Sequence, residues 1–230
     1  MATNGTEIEN GVAEHIRRSI FSGDLLPGTR LAEQRLADIF NISRARVRSV
    51  LQTLAQQQLI TLLPNRGALV ATPTEAEARD VFDARRAIES MMAGRASRVV
   101  LTHQLAALRV VVEQQEIANQ TGQLNAALHS MGRFHVEVAK LANNQVLVTV
   151  LQPLIARTSL IIATFGHHQS FLPVPECQSK IVDALAAGTP LDASRAMERA
   201  LYMIEGQLDW KTWRRKSDDL GHVLARARAA

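Results

Sequence analysis

The chain has 230 residues, 47% hydrophobic and 21% charged, with a formal net charge of +4 at pH 7, which suits one large or two modest domains around an ordinary buried core. The single cysteine, Cys177, excludes an internal disulfide and any thiolate-rich zinc site. The start MATNGTEIEN has neither a basic beginning nor an apolar stretch, and no apolar run near the roughly 20 residues of a spanning helix is expected, so the expected location is cytoplasmic.

After a small, polar start over Met1 to Thr6, the spacing predicts a first helix from about Ile8 to Ser22. Val12, Ile16, Ile20 and Phe21 turn inward and His15 faces solvent. Gly23-Asp24-Leu25-Leu26-Pro27-Gly28 ends it in a loop. Leu36, Ala37 and Phe40 then recur at helical spacing, and Ser43 offers a side-chain oxygen to the free amides of a third helix starting near Arg44. Val47, Leu51, Leu54 and Gln58 form its inward row, with Val50 beside them. The outward face centres on Ala45, Ser49 and Gln52, flanked by Arg48 and Arg46. Small side chains at the centre permit close approach, and guanidinium groups at the edges reach phosphates and the acceptor edge of guanine. These are the requirements of a recognition helix in a major groove.

Leu59 to Leu63 and Gly67 to Thr72 read as two strands joined by Pro64-Asn65-Arg66-Gly67, a basic-tipped hairpin. From Ile39 to Thr74 there is no acidic residue but there are four arginines, Arg44, Arg46, Arg48 and Arg66. No lysine precedes Lys140, so the basic character of the first half is all arginine, the better fork for phosphate and guanine. Such a run favours a polyanion. Periodicity alone leaves this open, because basic helix faces are often simply solvated.

Thr72-Pro73-Thr74 marks the boundary between halves, and Thr74 with Glu77 forms a capping-box signature. Beyond it the pattern predicts helices over Glu75 to Val99, His103 to Asn119, Gln123 to Ala142, Gln145 to Thr164, Pro175 to Ala187 and Leu191 to Trp213. Short connections indicate antiparallel neighbours. A tail follows, with a last short helix around Leu220 to Arg228. The expected fold class is mainly α: an N-terminal winged helix-turn-helix over 7–73, a C-terminal all-α bundle over 74–213, and a tail over 214–230.

The segments LAEQRLADIFNISRARVRSVLQTL and LPNRGALVATPT resemble the winged helix-turn-helix of the GntR family of bacterial transcription regulators. That family shows an LxExxLAxxxxVSRxPVRxAL pattern followed by a PxRGxxV wing; Ala45-Arg46 stands here where a Thr-Pro pair is usual. The second half resembles the FCD-type effector domain of the FadR subgroup. The resemblance rests on Phe82 to Glu89, Arg133-Phe134-His135 with Leu141-Ala142-Asn143-Asn144, Arg157 to Ile162, and Ile181 to Gly188.

The resemblance implies a homodimeric, ligand-responsive regulator of palindromic operator DNA. Its DNA-contacting residues would be Gln34, Arg35, Ser43, Arg44, Ala45, Arg46, Arg48, Ser49, Asn65, Arg66 and Gly67. Many FCD domains hold a divalent metal with an Asp and a His four residues apart and two further histidines. The corresponding positions here are Met131, His135, Gln178 and Ala200. A thioether, an amide and a methyl group are no substitute for hard or borderline donors, so neither metal nor cofactor is expected. Arg85, His135, Arg157 and Gln178 correspond to inward positions, and the two arginines would suit a small organic acid. For Arg85, pairing with Glu89 one turn on is an equal alternative, as a hydrogen-bonded core role is for His135. His167-His168 and Cys177 flank a Gly-, Pro- and Ser-containing connection, but no orienting acid is evident and no enzyme is expected. The rival readings are a small metal-dependent hydrolase built on the bundle and a helical interaction protein that binds no DNA.

Overall fold

The computed structural model describes residues 3–21, 24–64, 66–166 and 174–211. Internal contacts divide the chain into two compact units. The described residues up to Pro73 form the first with Leu160–Phe165, Trp210 and Lys211, and the described residues of Thr74–Ser159 and Gly166–Asp209 form the second.

In the first unit, α1 (Thr3–Phe21), α2 (Glu33–Phe40) and α3 (Arg44–Gln56) pack with α3 in the middle. Val12, Ile16 and Ile20 of α1 are buried, and Val47, Val50, Leu51 and Leu54 form the buried row of α3. Each such side chain fully withdrawn from water contributes about 1.5–3 kcal/mol, which is what fixes the face α3 turns inward. Gln58 does not extend that row: the helix ends at Gln56, and Gln58 is exposed with φ at 56° in the turn that follows. His15 is half-buried rather than solvated, its ring edge-on to Phe40 with centroids 5.3 Å apart. Asn41 closes α2 in the left-handed region, where Asn is tolerated, and its N–H reaches the Ala37 carbonyl.

The hairpin forms as β2 (Ile60–Leu63) and β3 (Gly67–Val70), with a strand the periodicity does not reveal, β1 (Arg30–Leu31), on the other side of β3. All pairings are antiparallel, with Leu63 opposite Gly67 and Leu31 opposite Ala68. Two residues are too few to show alternation, so β1 reads as loop in sequence. Gly67 has φ at +85°, and a Cβ there would run into the carbonyl oxygen of Leu31. Only glycine combines that backbone with so close a strand.

The second unit contains α4 (Glu75–Ala96), α5 (Thr102–Gln120), α6 (Leu124–Leu141), α8 (Pro175–Ala186), α9 (Pro190–Glu205) and the first fifteen residues of α7 (Gln145–Phe165). Thr74 starts α4 with a reciprocal cap: its N–H donates to Glu77 Oε2 at 2.9 Å and its Oγ1 accepts from Glu77 N at 3.2 Å. Helix α4 packs on α6 and α9, α5 on α6 and α8, and α8 on α9. Gly94 lets α4 and α9 touch, since a Cβ would strike the Ser194 hydroxyl and the Pro190 carbonyl. Met92, Ala139, Leu151 and Ile155 join α4, α6 and α7 in one buried cluster.

Contrary to the sequence expectation, Gln145–Phe165 is long and apolar enough by length and composition to cross a membrane. Half of its most apolar window is buried, and Thr158 within it accepts a hydrogen bond from a buried arginine, as a core helix would. Helix α9 stops at Glu205, short of the expected Trp213, with Gly206 at its end. The expected helix over Leu220 to Arg228, His167-His168 and Asn65 lie outside the described residues.

Candidate functional site

The exposed side of α3 begins at Ser43, whose Oγ accepts from Arg46 N at 3.4 Å, a long cap bond. Arg44, Ala45, Arg48 and Gln52 are exposed along it. Arg48 Nε donates to both carboxylate oxygens of Glu33 at 2.9 Å, and Arg44 Nη2 reaches Glu33 Oε2 at 3.3 Å. The hydrogen bond from Arg48 holds the Glu33 carboxyl below the ordinary carboxylate range, and the same contact raises Arg48. A single carboxylate at the start of α2 thus gathers two arginines of α3. Sequence reasoning missed Glu33 because the acid-free run was counted from Ile39; the Glu of LAEQRLA was the available signal.

Between α3 and the wing lies a groove of about 390 Å³ lined by Glu33, Arg48, Gln52, Leu62, Pro64 and Gly67. Arg66 is exposed at the hairpin tip. Gly67, next to the turn and paired with Leu63, is buried, so its place in the site is to shape the hairpin. Gln34 is exposed and donates to Asp38 one turn on at 2.9 Å, and Arg35 is exposed beside it. Ser49 is displaced from the centre of the outward face. Its hydroxyl donates to Glu9 on α1 at 2.8 Å, and Gln57 on the same row accepts from Arg17 of α1 at 3.0 Å. The row 49–53–57 therefore runs along α1, and Ala45, Arg48 and Gln52 are the true middle of the exposed face.

The second unit holds a chain of buried polar groups. Arg85 Nε donates to Glu89 Oε1 at 2.6 Å and Arg85 Nη1 to Thr158 Oγ1 at 3.1 Å. Glu89 Oε2 lies 2.5 Å from His135 Nδ1. Burial pushes the Glu89 carboxyl up, but the Arg85 and His135 charges outweigh it and hold it at about 2. An ionised Glu89 can only accept, so His135 Nδ1 carries the proton of that bond. His135, whose Nε2 is buried without a partner, also lines a cavity of about 10 Å³, roughly the threshold for one ordered water.

Met131, His135, Gln178 and Ala200 all line this cavity, so the four positions matched to the family's metal ligands do converge. Their chemistry does not fit a divalent ion: one imidazole nitrogen is joined by a thioether, an amide and a methyl group. Arg157 lies elsewhere, donating to Glu77 Oε1 at 2.7 Å, and does not line the cavity. Arg85 does not line it either: its Nε and Nη1 are engaged by Glu89 and Thr158, and its Nη2 is buried without a partner. Gln115 of α5, fully buried on the cavity wall, escaped sequence reasoning because a lone glutamine in an amphipathic helix carries no pattern.

A three-helix head with a β-wing and a basic exposed third helix, joined in one chain to a helical bundle, defines the class of winged-helix transcription regulators. The model of "Bacterial regulatory proteins, gntR family" matches residues 8–70, and that of the FCD domain matches residues 80–202. The chain belongs to the GntR family and carries an FCD domain. The HTH-type transcriptional repressor RspR of Escherichia coli K12 is 33% identical over 130 residues, 56% of this chain and 57% of that protein. The gluconate operon transcriptional repressor of Bacillus licheniformis is 32% identical over 107 residues, 46% of this chain and 44% of that protein. The chain thus spans about half the length of the curated relatives it matches.

Among solved structures, McbR/YncC of Escherichia coli superposes with a TM-score of 0.74 at 17% identity, covering 86% of this chain and 95% of that one. A GntR regulator from Rhodococcus sp. RHA1 superposes with a TM-score of 0.71 at 24% identity, covering 86% and 97%. At such identities the likeness is one of fold.

Proposed function

We propose that the protein is a cytoplasmic, homodimeric repressor that binds palindromic operator DNA through α3 and the wing and responds to a small metabolite held in the cavity of its FCD domain. The observation that carries this reading is the exposed face of α3, where Arg44 and Arg48 are oriented by Glu33 beside a groove closed by the wing. One such helix contacts few base pairs, each worth about 1–3 kcal/mol of discrimination, so two symmetry-related heads are needed for a useful operator. Repression follows the names of the relatives, and the reading includes no catalytic turnover. Burial raises the Cys177 thiol, which makes it a poor nucleophile at neutral pH.

An effector acts here only through unequal affinity for the DNA-competent and DNA-incompetent arrangements. An organic acid was the sequence expectation, resting on Arg85 and Arg157. The first is paired with Glu89 and the second with Glu77, which weakens that choice. The test of the regulator reading is operator selection from random duplexes followed by mobility-shift titration. Arg44→Ala or Arg48→Ala lowers operator affinity at least about tenfold, one base pair's worth of discrimination, with an unchanged circular dichroism spectrum. Equal affinity of variant and parent refutes the assignment of Arg44 and Arg48 to the groove, and failure to select any duplex refutes the regulator reading.

A further inference from the structure

Three side chains on the cavity wall are almost wholly removed from solvent and have polar atoms without a partner. Gln115 is fully buried, and neither its carboxamide oxygen nor its nitrogen is bonded. Gln178 donates from Nε2 to the Met131 carbonyl at 3.5 Å and leaves Oε1 unpaired. His135 leaves Nε2 unpaired while Nδ1 is held by Glu89. Unpaired buried polar atoms are costly one at a time, and four around one void indicate a site that is filled when the protein works.

The pattern of these atoms says what fills it. None of the described lining residues has a carboxylate, ammonium or guanidinium group. Arg85 and Glu89 behind the wall pair with each other. A carboxylate brought here would lose its hydration and could give nothing to Gln115 Oε1 and Gln178 Oε1, which need donors. With Nδ1 held by Glu89, His135 has only Nε2 left to offer a ligand. The wall then offers carboxamide acceptors at Gln178 Oε1 and Gln115 Oε1, one donor at Gln115 Nε2, and the ring nitrogen His135 Nε2. The complement is a group with two or more N–H or O–H donors and one carbonyl.

We propose that this cavity receives an uncharged amide-type head group of the effector, a primary carboxamide, a urea or the amide edge of a heterocycle, recognised by Gln115, His135 and Gln178. As it stands the void has room for a single water, which fits the same pattern and is displaced without loss by a group that reproduces its bonds. Met131 and Met203 on the wall supply the give, since an unbranched thioether repacks readily. The inference rests on the reading of the protein as an effector-responsive regulator and names its ligand class.

The experiment uses the full chain labelled with ¹⁵N. The side-chain amide signals of Gln115 and Gln178 are assigned from Gln115→Leu and Gln178→Leu and followed during titration with acetamide and, at matched ionic strength, with its isostere acetate. Acetamide shifts both pairs of signals saturably in the millimolar range natural to so small a fragment, acetate does not, and Gln115→Leu weakens the acetamide response of Gln178 at least tenfold. Acetate acting where acetamide does not makes the cavity an anion site and overturns the proposal. Response to neither overturns it in favour of a closed water site. Operator binding is measured on the same samples: its absence refutes the regulator reading, whereas operator binding without an amide response refutes only this inference.

Discussion

Arg48 Nε lies 2.9 Å from both carboxylate oxygens of Glu33, so an exposed cation of α3 is aimed by the first residue of α2. An arginine held in this way meets a guanine edge in one orientation, whereas a free one settles on whichever phosphate is nearest. Glu33→Ala removes an anion from the DNA-facing side and also releases Arg44 and Arg48. Affinity for any duplex rises a few-fold and becomes steeper in salt, while preference for the operator over a scrambled duplex falls about tenfold. Fluorescence anisotropy with both duplexes at one salt concentration measures the ratio, and an unchanged ratio would show that Glu33 is a bystander.

The wing depends on Gly67 in a different way. Its φ of +85° and the carbonyl of Leu31 against the place of its missing Cβ leave room for no side chain. Gly67→Ala meets both a backbone penalty and a steric one, together more than about 1–3 kcal/mol, borne by the sheet β1-β3-β2. Thermal unfolding of the variant shows an early transition for the head and weakened operator binding. Parent-like melting would mean that β1 is not held against β3 in solution.

Glu89 makes the FCD domain's stability depend on acid. Its folded value of about 2 lies below the ordinary 4.5, so its contribution is complete above the ordinary value and drains as pH falls towards the folded one. Glu89→Gln leaves the Arg85 guanidinium buried without a counter-charge, which costs about 3–5 kcal/mol at neutral pH. The deficit against the parent shrinks across the window from 4.5 down to about 2, because the parent loses the same charge there. Urea unfolding at a series of pH values measures the gap. A gap that stays constant would place the pair's value in packing alone.

What the sequence makes legible follows from what periodicity can encode. The buried row Val47, Leu51 and Leu54, the Ser43 cap and the Thr74–Glu77 box are local patterns, and all are present. Pairings across distance are not local. Nothing in the spacing tells that Ser49 turns to Glu9, that Arg48 turns back to Glu33, or that Arg157 leaves the cavity for Glu77. The apolar length of Gln145–Phe165 was missed because Arg157 and Thr158 interrupt the run, although their polar groups are bonded inside the unit. The cavity itself was visible only through family correspondence. Met131, His135, Gln178 and Ala200 sit on three helices, and no spacing rule links them.

That convergence supports a gain-of-function test. If the cavity is the family's metal position with its donors replaced, returning them restores an ion site. In Met131→Asp/Gln178→His/Ala200→His the Asp and His135 lie one turn apart on α6, and the new histidines enter from α8 and α9. His135 is already oriented, because Glu89 holds its Nδ1 and leaves Nε2 without a partner, the arrangement a metal-bound histidine needs. The variant without metal is less stable than the parent, since it buries an unpaired carboxylate. Zinc at about 100 times its dissociation constant returns roughly 2.7 kcal/mol, read as a rise in melting temperature that a chelator reverses. The parent shows no such rise. A variant that folds but gives no metal-dependent shift would mean that the four positions line one void without sharing a point of coordination.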